Sequence, residues 1–227
     1  KETGLSSGKA GSMHLGDLGI NFIFTSAIVG SAISQAVGYS LALKMKKITS
    51  KVICYHGEGA MDQGTFWESL NFSALKKLPI LFVCENNGLA IYSNQRKRMK
   101  TLDICKKVSS FGVHTIKIKD NSTKNIFICT QKALQRIEKK RQPVFLEINT
   151  YREVDHVGIN YDFELGYRKK EKQKMNKSLN ELNFLKQNTK NFVQIEKKIN
   201  KEISEALNYS RKSNFPHKKN VESNVTK

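Results

Sequence analysis

Apolar positions along the chain fall into short continuous runs separated by longer stretches of helical spacing. Lys51 to His56 (KVICYH) and Ile80 to Cys84 (ILFVC) are brief, apolar and rich in β-branched residues, which predicts two strands. Between them, Gly64 to Lys77 sets Phe66, Leu70 and Leu75 at roughly helical spacing, so the whole reads as a βαβ unit. Ser26 to Met45 predicts a helix built largely of small residues (Ala27, Gly30, Ser31, Ala32, Ser34, Ala36, Gly38), after a glycine- and serine-rich loop over Lys1 to Thr25. Downstream, Gly88 to Lys100 reads as a polar loop, Val113 to Lys119 as a strand, Thr123 to Lys139 as a helix and Pro143 to Tyr151 as the last strand. Glu153 to Gly166 is then a loop carrying Asp155 and His156, followed by helices near Ser178 to Gln187 and Phe192 to Tyr209 and a polar tail. Continuous apolar strands imply burial on both faces, as in a parallel sheet. The expectation is an α/β fold, mostly parallel sheet flanked by helices, with a C-terminal helical extension: one domain over 1–167 and its helices and tail over 168–227.

Chemistry concentrates where these strands end. Gly57-Glu58-Gly59-Ala60 follows the first strand and Asn86-Asn87 closes the second, and ligands of parallel sheets sit beyond the strand carboxyl ends. Glycines let backbone approach a diphosphate closely, while a carboxylate and an amide oxygen are hard donors suited to octahedral magnesium. His56 and His14 read as structural. His156, on a loop after the last strand, is the candidate proton-handling group, because imidazole exchanges protons near neutrality. Arg152 on the same loop serves either a carboxylate or the loop itself.

The string from Gly57 to Asn87 resembles the thiamine pyrophosphate motif, a Gly-Asp-Gly followed about thirty residues later by Asn-Asn. More specifically it resembles the alpha subunit of the decarboxylating component of 2-oxo acid dehydrogenase complexes. GKAGSMHL (Gly8 to Leu15), SAIVGSAISQAVG (Ser26 to Gly38), ESLNFSALKKLPILFVCENN (Glu68 to Asn87), TYREVDHVG (Thr150 to Gly158) and FELGYR (Phe163 to Arg168) carry the likeness. It implies a thiamine pyrophosphate-binding fold, with Ala27, Ile28, Val29, Gly57, Glu58, Gly59, Ala60, Asn87, Leu89 and His156 against the cofactor. It further implies magnesium held by Glu58, Asn87 and the Leu89 carbonyl, and His156 and Arg152 as catalytic residues. The implied reaction is oxidative decarboxylation of a 2-oxo acid, pyruvate above others, with acyl transfer to a lipoyl group.

Two positions depart from the family pattern. The usual aspartate is Glu58, one methylene longer, and the chain starts at Lys1 where the family carries a further upstream segment, so a truncated N-terminus is expected. No glutamate suited to the cofactor's aminopyrimidine is recognisable. A site shared with a beta subunit follows, with a lipoyl-bearing acyltransferase as the next partner, a heterotetramer as the assembly and the Ser26 to Met45 helix as an interface. Acetoin dehydrogenase, a non-catalytic scaffold beside the beta subunit and a transketolase-like enzyme are the other readings within this chemistry.

Composition changes the picture little. The 227 residues suffice for one α/β core. A net charge of +19 raises the alternative of a basic nucleic-acid-binding protein, but the excess is mostly lysine, dispersed and not interleaved with aromatics. Its densest run, Arg168 to Lys177, reads as a solvated helix face. Four cysteines without a C-x-x-C pair point to a reducing compartment, bacterial cytoplasm in preference to an organelle matrix, and no apolar run is long enough for a membrane span.

Overall fold

The computed structural model describes residues 1–120, 122–168 and 175–220, those at 175–180 by backbone alone. Two compact units form, one over Val29–Phe184 and one combining Lys1–Ile28 with Leu185–Lys227. In chain order the larger unit holds α1 (Ser31–Met45), β1 (Val52–Gly57), α2 (Gly64–Leu75), β2 (Ile80–Asn86), the short strands β3 (Leu89–Ala90) and β4 (Ser93–Asn94), and the helical turn α3 (Gln95–Arg98). Then come α4 (Ile104–Ser109), β5 (His114–Ile118), α5 (Thr123–Lys140) and β6 (Val144–Asn149). Two further helices, α6 (Met175–Asn188) and α7 (Phe192–Lys212), follow.

Four strands make one parallel sheet in the order β1-β2-β6-β5, and β3 pairs with β4 antiparallel. The α/β architecture with a parallel sheet is therefore the one the apolar runs predicted. Side chains alternate across the sheet, so Ile80, Phe82 and Cys84 of β2 join Phe66, Leu70, Val108 and Phe145 in one core. Leu81 and Val83 point the other way and meet Val144, Leu146, Ala133 and Ile137.

Burial on both faces holds for β2 and β6 but not for β1, whose Cys54 and His56 are buried while Ile53 and Tyr55 are 40% and 64% exposed. The reason is coverage: α5 packs on β6, β5 and β2, at the far side of the sheet from β1.

Local chemistry explains where the elements begin. Gly30 caps α1 in the left-handed region at φ 87°, which delays the helix from the expected Ser26 to Ser31. A Cβ there would meet Gln63 Cγ at 2.9 Å, so the position also needs glycine for space. Leu75, expected inside, is exposed in the last turn of α2. The polar loop from Gly88 to Lys100 contains β3, β4 and α3. Helix α4, absent from the sequence reading, has Asp103 accepting from Lys106 N at 3.0 Å as its cap and buries Ile104 and Val108 one turn apart.

In the smaller unit the two ends of the chain meet. Glu2 N donates to the Asn214 carbonyl at 2.9 Å, and Lys1 Nζ lies 3.7 Å from the Phe215 ring centroid. Residues 1–25 are mostly turns, as expected. Among the described residues all four cysteines are free thiols, and no helix is long and apolar enough to cross a membrane. The basic run at Arg168 to Lys177 falls largely outside the described residues, as do the last seven residues of the polar tail.

Candidate functional site at the carboxyl ends of the sheet

The register pairs Gly57 of β1 with Glu85 of β2, so the Gly57-Glu58-Gly59 turn and the Asn86-Asn87 pair leave adjacent strands at the same level. Asn86 in turn pairs with Asn149, which brings the end of β6 to that level, and Thr150 N donates to the Asn86 carbonyl at 2.9 Å. The three segments singled out in the sequence thus leave three neighbouring strands on one edge of the sheet.

Each segment is held by its own polar side chains. Asn86 Oδ1 accepts from Gly88 N at 3.0 Å and Asn87 Oδ1 from Leu89 N at 2.8 Å, two turns of the kind in which asparagine bonds backbone two residues on. Asn86 Nδ2 donates to Glu147 Oε1 at 2.9 Å. Glu147 is fully buried and also takes Lys117 Nζ at 3.1 Å and Cys105 Sγ at 3.2 Å, so a buried carboxylate pins the asparagine pair from below. Burial and then this carboxylate push the Cys105 thiol up to about 12, and burial with the same charge holds Cys84 well above the usual thiol range. Cys84, wholly buried in the core, packs as a small hydrophobe. For Lys117, burial works against the charged form, but the hydrogen bond to Glu147 outweighs it and raises the ammonium above its ordinary value.

The two glycines of the turn differ. A Cβ on Gly57 would meet nothing within 4 Å, so backbone at the end of β1 is open to close approach, which fits a diphosphate. A Cβ on Gly59 would lie 2.7 Å from Ala90 Cβ. Gly59 therefore has to be glycine where the β3–β4 hairpin packs on it. Ala60 is buried beneath the turn.

The expected magnesium donors are placed differently from the sequence reading. Glu58 is fully buried, and both its oxygens accept from Arg98 Nη2, at 2.7 and 2.8 Å. Arg98 Nη1 donates to Asp62 and Nε to the Ser93 carbonyl at 3.4 Å. Burial alone would lower the Arg98 pKa, and the hydrogen bonds to the two carboxylates raise it instead. With its carboxylate held on both oxygens by a cation and Asn87 Oδ1 engaged by backbone, this donor set does not fit a magnesium ion. Among the described residues no cluster of three or more histidine, cysteine or acidic side chains could hold a metal.

Buried His56 lies against Phe66 and Phe145, with ring centroids 5.3 and 6.1 Å away, as a structural residue would. Its Nδ1 sits 3.1 Å from the Gly57 carbonyl, which only accepts, so Nδ1 carries the proton; Nε2 has no partner among the described protein groups. Burial lowers its pKa to about 4.

His156 stands exposed on the loop that follows β6, its backbone N donating to Asp155 Oδ1 at 2.6 Å. Beneath it is a network that the sequence did not disclose. Asp162 takes Arg152 Nη2 at 3.2 Å, Arg168 Nε at 2.6 Å and the Tyr167 hydroxyl, and Arg168 Nη2 also donates to the carbonyls of Glu153 and Val154. Arg152 gives its other donors to the Val154 carbonyl at 3.1 Å and the Ile91 carbonyl at 2.8 Å. Arg152 thus holds both a carboxylate, Asp162, and the backbone of its own loop. The Ile91 contact and a Tyr92–Tyr167 ring pair at 5.1 Å join this loop to the β3–β4 hairpin. Val29 is exposed at the start of the larger unit, whereas Ala27 and Ile28 end the first segment of the smaller one.

The model of the dehydrogenase E1 component family matches residues 1–219. The chain belongs to that family. Among its curated relatives, the alpha subunit of an acetoin:2,6-dichlorophenolindophenol oxidoreductase from Bacillus subtilis is 28% identical over 95% of this chain and 66% of its own length. A mitochondrial 2-oxoisovalerate dehydrogenase subunit alpha 2 from Arabidopsis thaliana is 27% identical, over 94% and 47%. A pyruvate dehydrogenase E1 component subunit alpha from Rickettsia bellii is 25% identical, over 97% and 69%. This E1 component chain thus spans about half to two thirds of the length of these relatives.

Proposed function

We propose that this chain is the alpha subunit of a thiamine pyrophosphate-dependent 2-oxo acid dehydrogenase, with pyruvate as substrate and a lipoyl group as acyl acceptor. The single observation that carries the reading is the common level at which Gly57, Asn87 and the His156 segment leave β1, β2 and β6, in a chain matched by an E1 component family over 1–219. Bound there, the cofactor supplies the electron sink for decarboxylation, and the protein contributes position and charge.

The open backbone at Gly57 receives the diphosphate. The Asn86–Glu147 contact and the Gly59–Ala90 packing hold the neighbouring turns in place. His156 handles a proton, or stabilises charge, on the substrate-derived species. Arg152, Arg168 and Asp162 fix the loop that carries it, so Arg152 acts through His156 rather than on substrate. An aminopyrimidine partner from a beta subunit completes the site, and the assembly is a heterotetramer in a bacterial cytoplasm.

Co-expression of the full-length protein with a beta subunit, assayed by artificial-acceptor reduction with thiamine pyrophosphate, tests this. Pyruvate should be turned over by the pair and not by the 227-residue chain alone. Acetoin oxidation in place of pyruvate turnover would assign the chain to the activity named for its Bacillus subtilis relative, and no turnover of either by the pair would contradict the reading.

A further inference from the structure

We propose that Arg98 is the resident cation of this site, and that Glu58 therefore does not ligate a divalent metal ion. For its consequence on cofactor binding the inference rests on the proposed function; for the metal itself it rests on Glu58 and Arg98 alone.

Glu58 is 0% exposed, and a carboxylate out of water needs a counter-charge and hydrogen bonds. Arg98 supplies both, with one nitrogen astride the two oxygens at 2.7 and 2.8 Å. Guanidinium does not deprotonate in proteins, so this positive charge is permanent. A divalent ion reaching Glu58 would have to displace it and then sit beside it, like charge against like.

Arg98 is also fixed in place. It ends α3, whose cap is Asn94 accepting from Arg96 N at 3.0 Å, and α3 continues directly from the β3–β4 hairpin that presses on Gly59. Its remaining nitrogens hold Asp62 and the Ser93 carbonyl. The same hairpin that was expected to offer the Leu89 carbonyl to a metal brings the guanidinium to Glu58 instead. Two acids against one arginine leave the cluster one negative charge in excess, and its cation is turned toward those acids. Diphosphate affinity here then comes from backbone and from partner groups, without a metal bridge through Glu58.

The test is anomalous diffraction from crystals of the full-length protein in its native assembly, soaked in Mn2+. In the wild type no peak should appear within ligand distance of Glu58, and a peak there overturns the proposal. Arg98→Met should create such a peak. Arg98→Gln, which keeps an amide donor for Glu58 while removing the charge, serves should the methionine variant fail to fold. Two folded variants without a peak would overturn Arg98 as the group that blocks the metal. In parallel calorimetry, wild-type affinity for thiamine pyrophosphate should agree within about twofold between excess EDTA and excess Mg2+. A gain of tenfold or more with Mg2+, accompanied by the Glu58 peak, would overturn the inference. Failure of the cofactor to bind in either condition would instead remove the proposed function, leaving the Mn2+ maps to decide the role of Arg98.

Discussion

Arg168 Nε donates to Asp162 Oδ1 at 2.6 Å with the two side chains 1% and 2% exposed, a buried ion pair six residues apart that closes the loop carrying His156. Such a pair does little for stability against an apolar replacement, but breaking one partner away is costly, about 3 kcal/mol or more, because the other charge stays buried. Asp162→Asn should therefore loosen the loop rather than the sheet. Amide hydrogen exchange across 151–168 is expected to rise by ~10², while the amides of β2 and β6 keep their protection. Unchanged exchange in the loop would show that the arginines hold it through the Arg152, Glu153, Val154 and Ile91 carbonyls alone.

Gly57 and Gly59 make opposite predictions. Gly59→Ala forces a methyl to within 2.7 Å of Ala90 and should destabilise the protein by about 1–3 kcal/mol in urea denaturation, the usual range for overpacking. Gly57→Ala meets nothing within 4 Å, so its stability should shift by no more than about 0.5 kcal/mol. If a diphosphate approaches that backbone, cofactor affinity should nevertheless fall at least ~10-fold. Equal affinity in wild type and Gly57→Ala would mean the ligand does not touch this glycine.

The contrast between these glycines shows how far the sequence could be read. Strand, glycine turn, helix and strand were visible because apolar runs, a period near 3.6 and turn residues are local signals, and the level ends of β1 and β2 follow from their pairing. What a side chain does once folded is not local. The exposure of Ile53 and Tyr55 depends on where α5 packs, 70 residues on. Arg98 was one of four basic residues in a segment read as polar loop, with Arg96, Lys97 and Lys100, and only the fold selects the one that reaches Glu58. The buried pairing of Asp162 with Arg168 was equally hidden, since hydropathy assigns both to the surface. An Asp-to-Arg spacing across a glycine turn, beside a Tyr-Arg step, was the one available hint.

His56 makes the protein sensitive to acid. Its folded pKa of about 4 lies below the ordinary value of 6.5, so near and below pH 6.5 the unfolded chain takes up a proton that the folded one refuses. Stability from this group is complete above pH 6.5, declines as pH falls, and is lost by about pH 4, a total of about 3 kcal/mol. His56→Leu, which removes both the titration and the unpartnered Nε2, should flatten urea midpoints over that window. A variant as acid-sensitive as wild type would place the sensitivity elsewhere.

His156 should matter to turnover and not to binding. His156→Ala in the alpha–beta assembly is expected to lower kcat by ~10² to 10⁴ while leaving thiamine pyrophosphate affinity within a few fold. A mutant with full turnover would remove it from the chemistry, and one with lost cofactor affinity would move it to the binding site.

The most direct test of the account is calorimetric titration of the alpha–beta assembly with thiamine pyrophosphate and, separately, with thiamine. The central claim is that the ends of β1 and β2 form a diphosphate half-site around Gly57. Thiamine pyrophosphate should bind at a single class of sites, and thiamine at least ~100-fold more weakly, a difference of about 3 kcal/mol carried by the diphosphate. Equal affinity for the two, or no binding of thiamine pyrophosphate, would contradict it.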